Sequence, residues 1–300
     1  MTLFDIRNFF QFSILSHITF FFHIHKLSYN YALEVSDLQP LLQVTHVNYS
    51  YHSINGETLA LSDLNFQIQK GEFVAIVGPS GCGKTTLLSL ISGLLVPESG
   101  SILLYGQNVK EASDHIGYML QKDHLFEWRT IFSNLKLGLE IKKQETHDNL
   151  NRIDQMLIKY GLSKFRNSRP SQLSGGMRQR AALIRTLALN PDLLLLDEPF
   201  SALDYQTRLS VGDDIYSIIK SEGKTAILVT HDLSEAISMA DRILVLSARP
   251  GRIVRELPIT FDQKERSPLA ARNAPEFKTY FNLLWKELNS HDPHPHLARS

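Results

Sequence analysis

Four short apolar runs recur along the chain, and each ends at a glycine or a polar residue. They are Phe73–Val77, Leu193–Leu196, Ala226–Val229 and Ile243–Leu246. Runs of this length without apolar–polar alternation are typical of strands that are buried on both faces of a parallel sheet. Longer amphipathic stretches separate most of the runs. The pattern therefore predicts an α/β fold in which a parallel sheet has helices on both faces.

Other segments have the periodicity of elements with one buried face. Residues 64–68 alternate between apolar and polar side chains, which predicts a strand with one solvated face. Residues 150–160 have apolar side chains at helical spacing, and Gly161 follows where a glycine commonly ends a helix. A second amphipathic stretch begins at Pro275. The region from about residue 117 to 189 is the part of the chain richest in helical spacing.

The first 40 residues differ in composition from the rest, since seven of the 16 Phe residues lie within the first 22 positions. The apolar stretch 9–22 is interrupted by polar residues and is shorter than the ~20 residues of a membrane span. It also lacks the basic start and cleavage site of a signal peptide. Three interpretations stay open: an added segment or an upstream-assigned start codon, an interfacial anchor, and a membrane span.

We therefore expect three parts. Residues 1–40 are an N-terminal extension that is poorly ordered or interfacial. Residues 41–257 are the main domain, and residues 258–300 are a C-terminal extension with one helix and a polar tail.

Composition limits the possible functions. The chain is 43% hydrophobic and 21% charged, as is typical of a folded globular protein. Its 31 basic and 31 acidic residues exclude a protein that coats polyanions through bulk charge, although local basic clusters stay possible. We nevertheless expect no nucleic-acid partner. Because Cys82 is the only cysteine, an intramolecular disulfide and a multi-cysteine zinc site are excluded, which fits a reducing compartment.

A phosphate-binding motif follows the first buried run. Residues 78–85 fit G-x-x-x-x-G-K-[ST] and lie between a predicted strand and an apolar helical stretch, the context that this motif requires. Backbone N–H groups of such a loop converge on phosphate oxygens. Lys84 would reach the β and γ phosphates, and the Thr85 hydroxyl would bind Mg²⁺. We expect nucleotide contacts from Gly78, Pro79, Ser80, Gly81, Cys82, Gly83, Lys84, Thr85 and Thr86.

An acidic pair ends the second buried run. The strand would hold Asp197 at its carboxyl end, opposite the phosphate-binding loop, where the carboxylate can hold the water shell of Mg²⁺. Glu198 is placed to accept a proton from an attacking water. Acidic pairs also cap strands on protein surfaces without any function, so this interpretation depends on the loop. Together, the two motifs predict ATP and Mg²⁺ as cofactors.

The sequence LSGGMRQ at Leu173–Gln179 resembles the signature motif of ABC ATPases, which many P-loop proteins lack. Other motifs of that family are present in the expected order. Gln121 matches the Q-loop glutamine, Ser201–Asp204 resembles the D-loop, and His231 matches the switch histidine. The resemblance covers about residues 42–254. It implies a RecA-like P-loop NTPase core with a parallel sheet, an antiparallel β subdomain, and an inserted helical subdomain over about 117–189.

The resemblance also implies roles for individual residues. Tyr51 would stack on adenine, with Tyr49 as the alternative. Glu198 would be the general base, and His231 would contact the γ-phosphate and organise the attacking water. Gln121 would sense the γ-phosphate and the metal, so that the implied metal ligands are Thr85, Gln121 and Asp197.

Four further residues would act between subunits. In the family, the signature motif binds the ATP of a second subunit, which assigns Ser174, Gly175 and Gly176 to nucleotide binding across a dimer. Asp204 would act across the same interface. The alternative interpretation is that the Ser-Gly-Gly sequence only caps a helix.

Two segments indicate which group of ABC ATPases the chain resembles. Leu125–Thr130 with Asn134, and Ser247–Ile253, resemble ATPases of importers for nitrate, sulfonates and taurine, although Glu127 stands where many members have proline. The implied partners are integral-membrane permease subunits, a second and identical ATP-binding subunit, and indirectly an extracytoplasmic solute-binding protein. The implied location is peripheral, on the cytoplasmic face of the cell membrane.

Several alternatives stay open. Phe126 and Trp128 form either a docking groove for a membrane partner or part of the local core. A soluble ABC ATPase acting on nucleic acid or ribosomes is disfavoured, because the segment between Lys84 and Asp197 has no sustained heptads and the chain has one nucleotide domain. An inactive regulatory subunit is disfavoured because all the motif residues are present. An exporter half would carry its own membrane helices.

Overall fold

The computed structural model describes residues 39–54, 56–262 and 266–290. By internal contacts the chain divides after Pro40, and the described residues from Leu41 onward group into one compact unit. The expectations for the N-terminal extension and for the polar C-terminal tail lie outside the described residues. No helix in the described ranges is long and apolar enough to cross a membrane.

The strands and helices of the described ranges are as follows. In chain order the strands are β1 (Leu42–Ser53), β2 (Gly56–Ile68), β3 (Phe73–Val77), β4 (Ser99–Leu104), β5 (Gln107–Asn108), β6 (Ile116–Met119), β7 (Leu193–Asp197), β8 (Thr225–Val229), β9 (Arg242–Leu246) and β10 (Ile253–Pro258). The α-helices are α1 (Lys84–Ile91), α2 (Ile131–Leu135), α3 (Leu137–Lys142), α4 (His147–Lys159), α5 (Gly175–Leu187), α6 (Tyr205–Ser221), α7 (Leu233–Met239), α8 (Pro268–Arg272) and α9 (Pro275–Ser290).

The central sheet has the strand order β10-β9-β3-β8-β7-β6. All neighbouring strands are parallel except β10, which pairs antiparallel with β9. The four apolar runs form β3, β7, β8 and β9, which confirms their prediction as buried strands of a parallel sheet. A second sheet, with the order β2-β1-β4-β5, is antiparallel.

Alternate residues of the central strands pack on opposite faces, as the pleat requires. On one face, Ala75 and Leu194 join a buried cluster with residues of α5, α6, α7 and α9. On the other face, Ile76 and Leu195 join a cluster with α1 and the antiparallel sheet. The central sheet therefore has helices on both faces, as predicted. On one face, however, α1 packs beside the antiparallel sheet.

The helix-rich region begins later than predicted. The stretch expected from residue 117 starts inside β6, where Gly117 pairs with Leu194 of β7. The first α-helix after this strand is α2, which begins at Ile131. Position 117 of this strand holds glycine because a Cβ there would lie 2.6 Å from Thr186 Cγ2. A glycine in a four-residue strand is a weak sequence signal, which explains the misplaced boundary.

The predicted helix at 150–160 is α4. The Thr146 side chain caps its first turn by accepting a hydrogen bond from Asn149 N. Gly161 follows its end with φ 71°, a left-handed conformation that glycine adopts without strain.

The predicted helix at Pro275 is α9, and it packs on the main unit. Leu284 is fully buried in the cluster that includes α7, and Glu287 forms an ion pair with Arg255 of β10. The C-terminal helix therefore belongs to the same compact unit as the sheets.

Replacing Leu284 with alanine should lower the free energy of unfolding by roughly 2–4 kcal/mol, because a buried leucine leaves a cavity when it is shortened. Urea denaturation of the full chain measures this. The control is Lys286→Ala, a change of an exposed side chain two residues further along the same helix, on its opposite side. Equal stability of the two variants would contradict the contribution of α9 to the core.

Candidate active site

The site lies at one edge of the central sheet. Because β9, β3, β8, β7 and β6 are parallel neighbours, the loops that follow their carboxyl ends meet at the same edge. These loops carry, in that order, Arg249, the phosphate-binding loop, His231, the Asp197–Glu198 pair and Gln121. Residues that are far apart in sequence are thereby brought together.

A cavity of about 710 Å³ opens at this edge, a size typical of small-molecule sites. Its polar lining comes mainly from the phosphate-binding loop and the start of α1. The lining residues are Tyr51, Ala60, Ser80, Gly81, Gly83, Lys84, Thr85, Thr86, Glu198, His231 and Arg249. All of them except Ala60 and Arg249 were expected from the motifs.

The phosphate-binding loop connects β3 to α1. Gly83 has φ 105° and a Cβ there would lie 2.6 Å from Leu61 Cδ2, so this position requires glycine. Lys84 is buried, and its Nζ donates to Gly78 O at 2.8 Å and to Pro79 O at 3.0 Å. Since both acceptors are neutral carbonyls, the ammonium charge is left for an anionic ligand.

Asp197 lies beside the first turn of α1. Its Oδ1 accepts from Thr85 Oγ1 at 3.3 Å, and its Oδ2 accepts from Tyr118 Oη at 3.2 Å. Burial raises the pKa of the Asp197 carboxyl, and the hydroxyl hydrogen bonds offset this only in part. A buried carboxylate next to a hydroxyl oxygen, with only hydroxyl hydrogen-bond donors, fits a small divalent cation such as Mg²⁺.

Glu198 is the centre of a second polar cluster. Its Oε2 lies 3.2 Å from His231 Nδ1 and 3.4 Å from Gln121 Nε2. Gln121 Nε2 also lies 3.4 Å from Ser201 Oγ, so Gln121 contacts Glu198 and Ser201 rather than Asp197. The cluster can take up a proton from a water at the mouth of the cavity.

The backbone of Glu198 has φ 45°, in the left-handed region. For a residue with a Cβ this conformation costs roughly 1–2 kcal/mol. The hydrogen bond from Glu198 N to Val229 O, at 2.8 Å, holds it in place. Strain of this kind is found where the position of a functional side chain matters more than local stability.

The two tyrosines proposed for adenine differ in position. Tyr51 lines the cavity, and its hydroxyl is 2.9 Å from Thr86 Oγ1. Tyr49 packs edge-on against the Tyr51 ring, with centroids 5.1 Å apart, and does not line the cavity. The geometry favours Tyr51 as the residue that presents a ring to a ligand.

The signature and D-loop residues lie outside the cavity. Ser174 caps α5, its Oγ accepting from Met177 N, and a Cβ on Gly176 would lie 2.5 Å from Val211 Cγ2 of α6. Gly175 approaches the side chain of Leu203, the residue before Asp204. Four of the expected site residues therefore form a separate group in the single chain.

Asp204 belongs to this separate group. Its exposed side chain caps α6 by accepting from Thr207 N at 3.0 Å. Hydrogen bonds from Thr207 lower the pKa of the Asp204 carboxyl. Asp204 does not line the cavity of its own chain.

A buried network under His231 was not expected from the sequence. Thr230 Oγ1 donates to Glu235 Oε2 at 2.6 Å and accepts from Asp232 N at 3.0 Å. Arg208 of α6 lies 3.4 Å from Asp232 and 3.8 Å from Glu235. The network links the switch histidine segment to the helix that follows the D-loop. No sequence signal reveals the burial of Glu235, because the residue lies on a short helix with other polar positions.

Burial raises the pKa of Glu235 to about 7, from an ordinary value near 4.5. The folded protein then keeps a proton that the unfolded chain releases, so this group lowers stability as pH rises from about 4.5 to about 7. Glu235→Gln removes the effect. The free energy of unfolding of the variant relative to the wild type should rise over this range by roughly 2–3 kcal/mol.

Urea unfolding at several pH values measures this difference. Glu111→Gln, at an exposed position, is the control. Parallel curves for Glu235→Gln and the wild type between pH 4.5 and 7 would show that Glu235 titrates normally.

Comparison with known proteins shows where such a site occurs. A family model described as ABC transporter matches residues 61–201. The chain is 48% identical to the uncharacterised ABC transporter ATP-binding protein YtlC of Bacillus subtilis, over 83% of this chain and 96% of that protein. It is 42% identical to the taurine import ATP-binding protein TauB of Pelagibacter ubique, over 72% and 82% of the two chains.

Two solved structures share the fold. One is a dimeric post-hydrolysis state of the ATP-binding cassette MJ0796 bound to ADP and Pi, with a TM-score of 0.63, 30% identity, and coverage of 73% of this chain and 99% of that one. The other is CbiO1 of Clostridium perfringens, part of the ABC transporter complex CbiONQ, with a TM-score of 0.66, 25% identity, and coverage of 87% and 99%. With this fold, these motifs and these relatives, the chain belongs to the ABC ATPases, as an ABC transporter ATP-binding protein.

Proposed function

We propose that this ABC ATPase is the energy-supplying subunit of an importer. ATP binding joins two copies, hydrolysis separates them, and this movement drives uptake of a small solute through a separate permease. The observation that carries the proposal is the division of the site. One cavity gathers the phosphate-binding loop, Glu198 and His231, whereas the signature residues of the same chain lie outside it.

Within one subunit, the proposed roles follow from the contacts. Tyr51 presents its ring to adenine, and the loop N–H groups and Lys84 hold the phosphates. Thr85 and Asp197 hold Mg²⁺, which when bound would neutralise charge on the phosphate oxygens. The Gln121 side chain would leave Glu198 and contact the metal ion and the γ-phosphate.

Glu198 accepts the proton of the attacking water. His231 Nδ1 lies 3.2 Å from the Glu198 carboxylate and orients it. The same imidazole would contact the γ-phosphate. Both residues line the cavity.

The second subunit supplies what the cavity lacks. Ser174, Gly175 and Gly176 begin α5, and a helix N-terminus with small residues is suited to an anion. In a head-to-tail pair they bind the ATP held by the other copy, and Asp204 contacts the same interface. The similar cassette solved as a dimer with ADP and Pi supports this arrangement.

The docking site for the permease is the pair Phe126 and Trp128. Their ring centroids are 4.7 Å apart, and Trp128 is 71% exposed, so this pair is not simply local core. Asn134 anchors the loop by accepting from Phe126 N at 2.7 Å, and Gln121 lies at its start. An exposed aromatic pair next to a residue of the hydrolysis site suits a short helix of a membrane partner.

The transported solute is proposed from the relatives. TauB is named for taurine import, and the loop segments resemble importers of nitrate and sulfonates, which favours a small anion. We propose that integral-membrane permease subunits are direct partners, that an extracytoplasmic solute-binding protein acts indirectly, and that the ATPase is peripheral at the cytoplasmic face of the membrane.

Replacing Glu198 with glutamine should trap a dimer with Mg-ATP, because binding remains while proton acceptance is lost. Analytical ultracentrifugation at saturating ATP measures the dimer fraction. Adding Lys84→Ala should restore the monomer, since the phosphates lose their buried charge. Adding Ser174→Arg should also restore the monomer without loss of ATP binding. A Glu198→Gln protein that stays monomeric would contradict the sandwich.

Replacing Trp128 with alanine should reduce recovery of the integral-membrane partner with the tagged chain by about tenfold or more, the effect of removing a central aromatic anchor. Gentle detergent extraction followed by affinity capture measures it. Trp285→Ala changes another exposed tryptophan, on α9, and serves as the control. Equal recovery with both variants would place the docking site elsewhere.

A further inference from the structure

The loop between β9 and β10 is pressed against the phosphate-binding loop. A Cβ at Gly251 would lie 2.2 Å from Cys82 O, so only glycine permits this approach. Gly251 N donates to Ala60 O at 2.9 Å, and Ser62 N donates to Gly251 O at 3.0 Å. Two backbone hydrogen bonds thus hold the loop at Gly251, and they fix the backbone position of the nearby Arg249.

Arg249 extends from this loop over the phosphate-binding loop. Its Nε and Nη2 both donate to Gly81 O, at 3.2 and 3.1 Å, and the side chain lines the cavity. Within the described ranges, no carboxylate forms an ion pair with this guanidinium. Its hydrogen-bond partner is a neutral carbonyl, although a guanidinium pairs best with carboxylate or phosphate.

The charges that line the cavity point to an anion. Lys84 and Arg249 both bond to carbonyls of the phosphate-binding loop, one from inside and one from the exposed rim. The acidic lining residue is Glu198, whose carboxylate lies next to His231. Two cations that share one loop without acidic partners are arranged for a ligand with several negative charges.

We propose that Arg249 is a nucleotide-binding residue, whose guanidinium leaves Gly81 O and contacts a phosphate oxygen of the bound nucleoside triphosphate. This inference rests on the proposed ATP site and adds a second cation to it. The fork of the guanidinium matches two phosphate oxygens, and the exposed side chain moves without breaking the core. Arg249 therefore contributes affinity for the phosphates and none for the nucleoside.

The test compares the affinities of the full-length chain for Mg-ATP and for adenosine. Calorimetric titration measures the affinity for Mg-ATP directly, and competition with Mg-ATP gives the weaker affinity for adenosine. Arg249→Ala should weaken ATP binding about tenfold, the loss expected for a charge-assisted hydrogen bond, and leave adenosine binding unchanged. Arg252→Ala, a charge loss at an exposed position of the same loop, is the control and should bind ATP like the wild type.

Two conservative variants separate binding from a merely structural role. Arg249→Gln keeps a neutral donor for Gly81 O, and Arg249→Lys keeps the charge. If the charge contacts phosphate, lysine restores part of the ATP affinity and glutamine does not. The salt dependence of ATP binding should also be weaker in Arg249→Ala. Rescue by glutamine would overturn the proposal, because Arg249 would then act by holding the loop.

Other outcomes also decide the matter. Unchanged ATP affinity in Arg249→Ala would overturn the proposal, and so would a loss confined to dimer formation in the Glu198→Gln background, which would place Arg249 against the second subunit. A wild-type chain that fails to bind ATP would instead overturn the proposed function. The two failures are therefore distinguishable.

Discussion

The parallel pairing of β9, β3, β8, β7 and β6 brings the rest of the site together. These strands are apolar on both faces, so their burial against α-helices on one side and a second sheet on the other holds them in register. Because parallel strands end at the same edge, each contributes a polar residue there without entering the core. The proposed site residues therefore lie in the loops that follow the strands of the central sheet.

Within one chain, the charged side chains of the site form hydrogen bonds mainly with neutral groups. Lys84 and Arg249 bond to neutral carbonyls, whereas burial raises the pKa of the Asp197 carboxyl, whose hydrogen-bond partners are hydroxyls. In the proposed complex, a metal-bound nucleoside triphosphate would supply charge of both signs and would compensate both groups at once. The cost of these uncompensated charges in the free protein is therefore offset when the ligand binds.

Polar contacts connect the segment that contains His231 to α6. Thr230 and Asp232 flank His231 and bond to Glu235 and Arg208, and Arg208 lies on the helix capped by Asp204. These hydrogen bonds and ion pairs hold the segment that contains His231 against α6. In the proposed dimer, these contacts would relate a change at the γ-phosphate to a change at the subunit interface through α6.

The sequence by itself determined the chemistry and the buried strands. Residues 78–85 and 173–179 are local motifs, and the run at 193–196 is apolar enough to require burial, so short-range patterns suffice for them. Only the tertiary structure decided which distant residues meet. The approach of Arg249 to Gly81, the burial of Glu235 and the strand at Gly117 depend on packing between segments, which one-dimensional periodicity does not record.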